Sequence, residues 1–107
     1  MGVNSDASVR RLGKGDDRPI VPGTDRARLL AALACVDCVV LFDADTPRAL
    51  VTALRPDVLV KGADYARNDI VGAAEVEGWG GRVVRVALVP GYSTSELLGR
   101  LRRDARR

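Results

Sequence analysis

Three short, mostly apolar runs, separated by segments with a helical pattern, limit what this chain can fold into. The runs are "CVVLF", "DVLV" and "RVVRVALV", at residues 38–42, 57–60 and 82–89. Apolar stretches of this length are typical of strands that are covered on both faces, as in parallel sheets. The sequence therefore predicts an α/β fold in which successive parallel strands are joined by helices with right-handed crossovers.

Helix signals stand between the runs. In "TPRALVTALRP", Thr46 is a candidate N-cap, Pro47 suits the first helical position, and Pro56 ends the helix. In "GYSTSELL", Ser93 and Glu96 have the spacing of a capping box. The predicted helices span residues 6 to about 12, from 24 or 25 onward, 47 to 55, about 68 to 79, and from 94 into the C-terminus.

The length of 107 residues fits one domain. Aromatic residues make up only 4% of the chain, so a core must be built from Ala, Val and Leu. No apolar run approaches the length of a membrane span, and no charged leader precedes an apolar segment, so we predict a cytoplasmic protein.

The formal net charge of +3 is concentrated at the C-terminus. Without that segment the chain is close to neutral, which favours a solvated helix end over a nucleic-acid-binding face. We therefore do not expect this chain to bind nucleic acid. The basic residues of this segment are Arg100, Arg102, Arg103, Arg106 and Arg107, against the single acidic residue Asp104.

Cys35 and Cys38 form a Cys-x-x-Cys pair, which can indicate redox chemistry or half of a zinc site. The chain has no histidine and no second cysteine pair, so a zinc site lacks ligands. The interpretation that we favour is two small, buried apolar residues.

Polar side chains follow the predicted strands at their carboxyl ends. In a parallel sheet these ends meet at one edge, where ligands bind. We therefore expect a site there. The candidates are Asn4 and Asp6, then Asp43, then Lys61, Asp64 and Tyr65, and finally Ser93 and Thr94 at a helix start.

Phosphate chemistry suits several of these residues. Ser93 and Thr94 begin a helix, where free backbone N–H groups and hydroxyls can hold a phosphate, although the same residues also explain helix capping. Lys61 can neutralise phosphate and Asp64 can accept from a sugar hydroxyl, although the two can also form a structural pair.

A basic loop precedes the second predicted helix. Arg10, Arg11 and Lys14 lie at a helix end and in the following glycine-rich stretch. Such a loop can close over a nucleotide and stabilise charge on the transferred group, and solvated surface charge is the alternative.

Taken together, "GVNSDASVRRL", "RPDVLVKGADY" and "GYSTSELL" resemble the nucleotidyltransferase (cytidylyltransferase-like) family. Within it they are most similar to adenylyltransferases for D-glycero-β-D-manno-heptose 1-phosphate, which also occur as the C-terminal part of bifunctional ADP-heptose synthases. The resemblance implies a Rossmann-like fold and transfer of AMP from ATP to the sugar phosphate, with release of pyrophosphate and assistance from Mg²⁺. The sugar phosphate attacks the α-phosphorus directly, so the protein positions groups and neutralises charge.

The resemblance also implies roles for single residues. Lys14 corresponds to the family's loop lysine and is the candidate catalytic residue, although this chain reads Leu-Gly-Lys-Gly where the family has Leu-Lys-Gly. Lys61 matches the family's Lys-Gly-Gly-Asp-Tyr segment, which departs here at Ala63. The implied phosphate-binding residues are Lys61, Ser93 and Thr94, and the implied substrate- or ribose-binding residues are Asn4, Asp6, Asp64 and Tyr65.

Family members carry, upstream of the matching segments, a first strand and a His-x-Gly-His helix, and this chain contains no histidine. We therefore expect residues 1–107 to be the C-terminal part of a single nucleotidyltransferase domain. The absent central strand is expected between the strand ending at Val3 and the strand at 38–42. Unpaired strand edges then predict a chain that is unstable, self-associates or rearranges. We expect it to be inactive alone and to form a homo-oligomer or to be complemented by an N-terminal segment.

Two alternatives stay open. One is a cytidylyltransferase acting on a polyol or alcohol phosphate, which competition between ATP and CTP would distinguish. The other is a noncatalytic nucleotide-binding fragment.

Overall fold

The computed structural model describes residues 1–13, 15–62 and 66–106. Lys14, Asp64 and Tyr65 lie outside the described residues. Strands and helices alternate along most of the chain, as the apolar runs predict. The elements are β1 (Gly2–Asn4), α1 (Asp6–Arg11), α2 (Gly23–Ala31), β2 (Val40–Phe42), α3 (Arg48–Leu54), β3 (Val58–Gly62), a 3₁₀ turn (Arg67–Asp69), α4 (Ala73–Gly78), β4 (Arg82–Val86) and α5 (Thr94–Ala105).

The four strands form two separate parallel pairs, β1 with β2 and β3 with β4. Parallel strands joined by helices confirm the α/β class. The expectation that an absent strand separates β1 from β2 is wrong, because the two strands share one ladder. Val40 N donates to Met1 O at 2.9 Å, and Ser5 N donates to Phe42 O at 2.8 Å.

Helix α3 connects the two strand pairs. Leu50 of α3 packs over β1, since a Cβ at Gly2 would lie 3.0 Å from Leu50 Cδ2. Val51, one residue on, is buried against Gly72 at the start of α4, where a Cβ would lie 3.0 Å from Val51 Cγ1. Helix α3 therefore contacts both β1 and the start of α4. The two pairs share no ladder between the described residues of β1 and β3.

The buried core is small for a chain of this length. The radius of gyration is 15.5 Å, against about 13 Å for a compact domain of about 100 residues. Val58 and Val60 of β3 and Val86 of β4 are all exposed, so apolar strand surface remains uncovered. The hydrophobic side chains buried among the described residues are Val3, Val51, Ile70, Ala73 and Val76.

The turn from α3 into β3 is held from two sides. Arg55 ends α3 in the left-handed conformation at φ 46°, and its guanidinium lies 4.8 Å from the centre of the Trp79 ring. The indole N–H of Trp79 donates to Pro56 O at 3.0 Å. The end of α4 is thereby fixed to the turn that starts β3.

Several element boundaries differ from the predicted ones. Helix α4 begins at Ala73 rather than near residue 68, because Gly72 has a φ of +93°, which interrupts the helix before it. Strand β4 ends at Val86 rather than at Val89, because its partner β3 ends at Gly62, opposite Val86.

The buried placement predicted for Cys35 and Cys38 is wrong. Both cysteines are free and exposed, in the connection between α2 and β2. Apolar composition did not decide their burial, because nothing packs over this connection in the described part of the chain. Within the ranges that the structure describes, no helix has the length and apolar character needed to cross a bilayer.

Gly81 is required by close packing at the start of β4. A Cβ there would lie 2.6 Å from Val76 Cγ1 and 2.9 Å from the carbonyl oxygen of Asp57. We predict that Gly81→Ala lowers the free energy of unfolding by about 1–3 kcal/mol, measured by urea denaturation, because neither neighbour can move freely.

Gly78→Ala is the matched control for this prediction. A Cβ at Gly78, the last residue of α4, meets no side chain and no backbone from outside its own helix within 4 Å, and alanine favours a helix over glycine by up to about 1 kcal/mol. Equal destabilisation by the two substitutions would contradict the packing argument.

Exposed strand surface predicts self-association. Val60→Lys places a charge on β3, where Val60 is 56% exposed, and should reduce concentration-dependent association in sedimentation velocity. Ala53→Lys, on an exposed position of α3, is the control that adds the same charge away from the strands. A wild-type chain that stays monomeric at all concentrations would refute the prediction.

Candidate functional site

The carboxyl end of β1 carries a connected set of polar side chains. Ser5 caps α1, accepting from Ser8 N at 3.1 Å, and its hydroxyl donates to the carboxylate of Asp43 beyond β2. Asn4 Nδ2 donates to Ser8 Oγ at 3.0 Å, and that hydroxyl donates to Ala44 O at 2.8 Å. The pairing of β1 with β2 thus brings Asn4 and Asp43 to one edge, as predicted.

Asp6 makes two contacts with α2. Its Oδ1 accepts from Gly23 N, the first residue of α2, at 2.8 Å, and from Arg26 Nη2 at 2.9 Å. The side chains of Asp6 and Arg26 are 35% and 25% exposed. Pro22 precedes the helix and has no side chain that can cap it, so Asp6 supplies the missing acceptor from a distance of 17 residues.

Arg11 ties the end of α1 to the segment after β2. Its Nε donates to Asp45 Oδ1 at 2.6 Å, and its Nη2 donates to the carbonyl of Asp43. The arginine lies at the helix end, as predicted, and is engaged in this contact. Arg10 is exposed on the same helix.

The start of α5 has the predicted cap. Ser93 Oγ accepts from Glu96 N at 3.1 Å, and Thr94 is the first helical residue. Both residues are exposed. With the cap made by Ser93, the remaining first-turn N–H groups of this 12-residue helix stay available to an anion.

A cavity of about 430 Å³ lies between the 15–18 loop and the side of α5. Arg18 Nη2 donates to Ser95 Oγ at 2.9 Å, and Arg102 Nη2 donates to Asp17 Oδ2 at 2.6 Å. The sequence did not predict these contacts between the 15–18 loop and α5. The charged run "DDR" in the loop is the only local signal, and nothing in it indicates α5 as the partner.

Lys61 is not gathered with these residues. Lys61 lies exposed near the end of β3, in the pair that shares no ladder with β1, so strand pairing does not bring it beside Asn4 or Asp6. Lys14, Asp64 and Tyr65 fall outside the described ranges, and their roles remain those implied by the resemblance.

The described residues contain no cluster of three or more His, Cys, Asp or Glu side chains that could hold a metal ion. They therefore do not form a protein cage for Mg²⁺. Mg²⁺ is often bound through substrate phosphates with one or two carboxylates.

Comparison with known proteins defines the class. Residues 1–99 match the cytidylyltransferase-like family, and the chain belongs to that family. It is similar to proteins named "Bifunctional protein HldE": 58% identical over 102 residues to that of Acidiphilium cryptum, 60% over 102 residues to that of Mesorhizobium japonicum, and 57% over 98 residues to that of Koribacter versatilis. These matches cover 95%, 95% and 92% of this chain but only 21%, 20% and 20% of the relatives, so the chain spans about a fifth of their length.

Substitutions of Asp6 test whether its carboxylate stabilises the fold. We predict that Asp6→Ala lowers the free energy of unfolding by about 1–2 kcal/mol, because Gly23 N–H loses its acceptor and Arg26 its partner. Asp6→Asn should cost less, since the amide oxygen can still accept from Gly23. Chemical denaturation measures both.

The control is Asp25→Ala, which removes an exposed carboxylate of α2 whose distance to Arg28 is 4.0 Å. Its effect should be smaller than that of Asp6→Ala. If Asp6→Ala left stability unchanged, the capping role of Asp6 would be excluded.

Proposed function

We propose that this chain contributes to transfer of AMP from ATP to a heptose 1-phosphate, forming ADP-heptose and pyrophosphate. The observation that carries the proposal is the identity of 57–60% over 92–95% of the chain to three proteins named bifunctional HldE, together with membership of the cytidylyltransferase-like family. The nucleotidyl transfer role follows from the family. What we propose beyond the family is that the nucleotide is ATP and that the sugar phosphate is a heptose 1-phosphate.

In this reaction the protein has to position the reactants and neutralise their charge. In the proposed site the sugar phosphate attacks the α-phosphorus, and pyrophosphate leaves. The start of α5, with Ser93 and Thr94, takes a phosphate group on its free N–H groups. Lys14 and Lys61 neutralise phosphate charge, and Asp64 and Tyr65 contact the ribose or the sugar.

In this proposal Asn4 and Asp6 contact the substrate in addition to their contacts within the protein. Both are engaged in the protein at the end of β1, Asn4 with Ser8 and Asp6 with α2. Asn4 donates through its amide, which leaves its carbonyl oxygen able to accept from a substrate hydroxyl. Mg²⁺ enters the proposed site bound to the phosphates of ATP.

We also propose that one further strand completes the sheet between β1 and β3, so that residues 1–107 form the C-terminal part of a single domain. The support is the contact of α3 with β1 and with the start of α4, together with the absence of a ladder between the described residues of β1 and β3. A parallel strand in that position would satisfy backbone groups on both edges. A segment outside residues 1–107 or a second copy of the chain would supply it.

Turnover tests the catalytic proposal. Incubated alone with ATP, Mg²⁺ and heptose 1-phosphate, the chain should release no pyrophosphate above background, because it has no histidine to stabilise the transition state as the family's motif does. It should nevertheless bind ATP, measured by equilibrium dialysis. Adding a polypeptide that supplies the family's first strand and His-x-Gly-His helix should restore turnover.

Robust turnover by the chain alone would refute the need for the histidines. Restored turnover with CTP and an alcohol phosphate, but not with ATP and heptose 1-phosphate, would favour the cytidylyltransferase alternative. That alternative is supported by the family match, which is to cytidylyltransferase-like proteins. Binding of ATP without restored turnover would favour a noncatalytic nucleotide-binding role.

A further inference from the structure

Ser8 of α1 is fully buried, and it is the one buried polar residue in the part of the chain that the structure describes. It belongs to a row of three residues, spaced three apart, that contact the segment after β2 in order. Ser5 donates to the Asp43 carboxylate, Ser8 donates to Ala44 O at 2.8 Å, and Arg11 Nε donates to Asp45 Oδ1 at 2.6 Å. Helix α1 is therefore held along its length, and Ser8 has a fixed position between α1 and this segment.

The hydrogen bonds of the Ser8 hydroxyl have only one consistent direction. Ala44 O is a carbonyl oxygen that can only accept, so the single hydroxyl proton of Ser8 points to it. The oxygen of Ser8 must then accept from Asn4, at 3.0 Å, and only the amide nitrogen Nδ2 of Asn4 can donate. Ser8 therefore determines which way round the Asn4 amide is held, with Nδ2 directed at Ser8 and the carbonyl oxygen Oδ1 left for another donor.

The Oδ1 atom of Asn4 receives no hydrogen bond from the described residues. Asn4 is the last residue of β1, and its side chain is neither buried nor fully exposed. At the carboxyl end of a parallel strand, an amide oxygen of this kind can accept from a ligand hydroxyl. Ser8 is too deeply buried to touch a ligand, so any effect of Ser8 on binding has to act through Asn4.

We propose that Ser8 is a positioning residue, which orients the Asn4 amide so that Oδ1 accepts from a hydroxyl of the substrate. The inference rests on the proposed function for the source of that hydroxyl, which is either the ribose of ATP or the sugar of heptose 1-phosphate. A phosphoryl oxygen is disfavoured at Oδ1, because neither oxygen carries a proton to share. The end of β1 therefore selects a hydroxyl-bearing part of the ligand.

Equilibrium dialysis of the full chain tests this inference, with ATP and heptose 1-phosphate as separate probes. Asn4→Ala and Ser8→Ala should each weaken binding of the same probe by about three- to tenfold, because the first removes the acceptor and the second releases its orientation. The affected probe identifies the source of the hydroxyl. In the double variant the loss should equal that of Asn4→Ala alone, because Ser8 acts only through Asn4.

Ser5→Ala is the matched control. It removes the same hydroxyl from the start of the same helix, where Ser5 contacts Asp43 and Ser8 N and makes no hydrogen bond with the Asn4 side chain. Any effect of Ser5→Ala on affinity should add to that of Asn4→Ala instead of disappearing in the double variant. Circular dichroism of each variant checks that the helices are retained.

Two further substitutions of Ser8 separate orientation from packing. Ser8→Cys retains nearly the same volume but forms only weak hydrogen bonds, so it should lower affinity about as much as Ser8→Ala while still filling the buried space. Ser8→Thr retains the hydroxyl and adds a methyl group to a filled site. Its affinity should stay within about twofold of the wild type, although it should unfold at a lower urea concentration.

Two results would overturn the inference. One is an Asn4→Ala variant that binds both probes as tightly as the wild type, which would leave Oδ1 without a ligand. The other is a full additional loss from Ser8→Ala in the Asn4→Ala background, which would make the role of Ser8 purely structural.

The outcome for Ser8 is distinguishable from the outcome for the proposed reaction. Turnover in the complemented assay with KM values that are insensitive to Asn4→Ala and Ser8→Ala would refute the inference and leave nucleotidyl transfer standing. Coupled losses of affinity, without adenylyl transfer in that assay, would support the inference and refute the proposed reaction.

Discussion

Backbone pairing between parallel strands is the constraint on which the rest of this structure depends. Each strand has one hydrogen-bonded neighbour, so every pair leaves two edges on which backbone groups lack a strand partner. Helix α3 contacts β1 through Leu50 and the start of α4 through Val51, and the described residues of the two pairs share no ladder. The small core and the exposed valines of β3 follow from this arrangement, since a sheet that is interrupted cannot be covered fully on its faces.

The polar groups at the strand ends show that helix capping and phosphate binding both depend on an oxygen that accepts from backbone N–H groups. Asp6, a candidate ligand-binding residue, accepts from the first N–H of α2, and Ser93 accepts from Glu96 N. An oxygen that satisfies a helix start inside the protein is chemically equivalent to one supplied by a phosphate. Helices α2 and α5 differ in the source of this oxygen, because Asp6 reaches α2 from another element, whereas Ser93 caps α5 from the residue before it.

Local signals in the sequence predicted local structure well. Pro47 and Pro56 bracket α3 to within a residue, and Ser93 caps α5 as its spacing with Glu96 indicates. The neighbour of β1 was predicted wrongly, since no local pattern specifies which parallel strand lies beside another. Arg18 and Ser95 are 77 residues apart, so their contact depends on tertiary packing that neither segment encodes alone.

Of the polar residues expected at one sheet edge, the structure brings together those whose strands are paired and not those of the other pair. Asn4 and Asp43 meet because β1 and β2 are paired and end in register. Lys61 lies near the end of a strand of the other pair, and only a continuous sheet would place it beside Asn4 and Asp43. Gly72, with its left-handed backbone, explains why α4 starts later than its amphipathic pattern suggests.

Trp79 is the single tryptophan of the chain, and it is fixed between Pro56 O and the guanidinium of Arg55. Its ultraviolet emission therefore reports on one junction, the docking of α4 against the turn that starts β3. Detachment of α5, or separation of β1 from β2, would leave that emission unchanged. A fluorescence melt compared with a far-ultraviolet circular dichroism melt would thus reveal whether the two strand pairs unfold as one cooperative unit or as two.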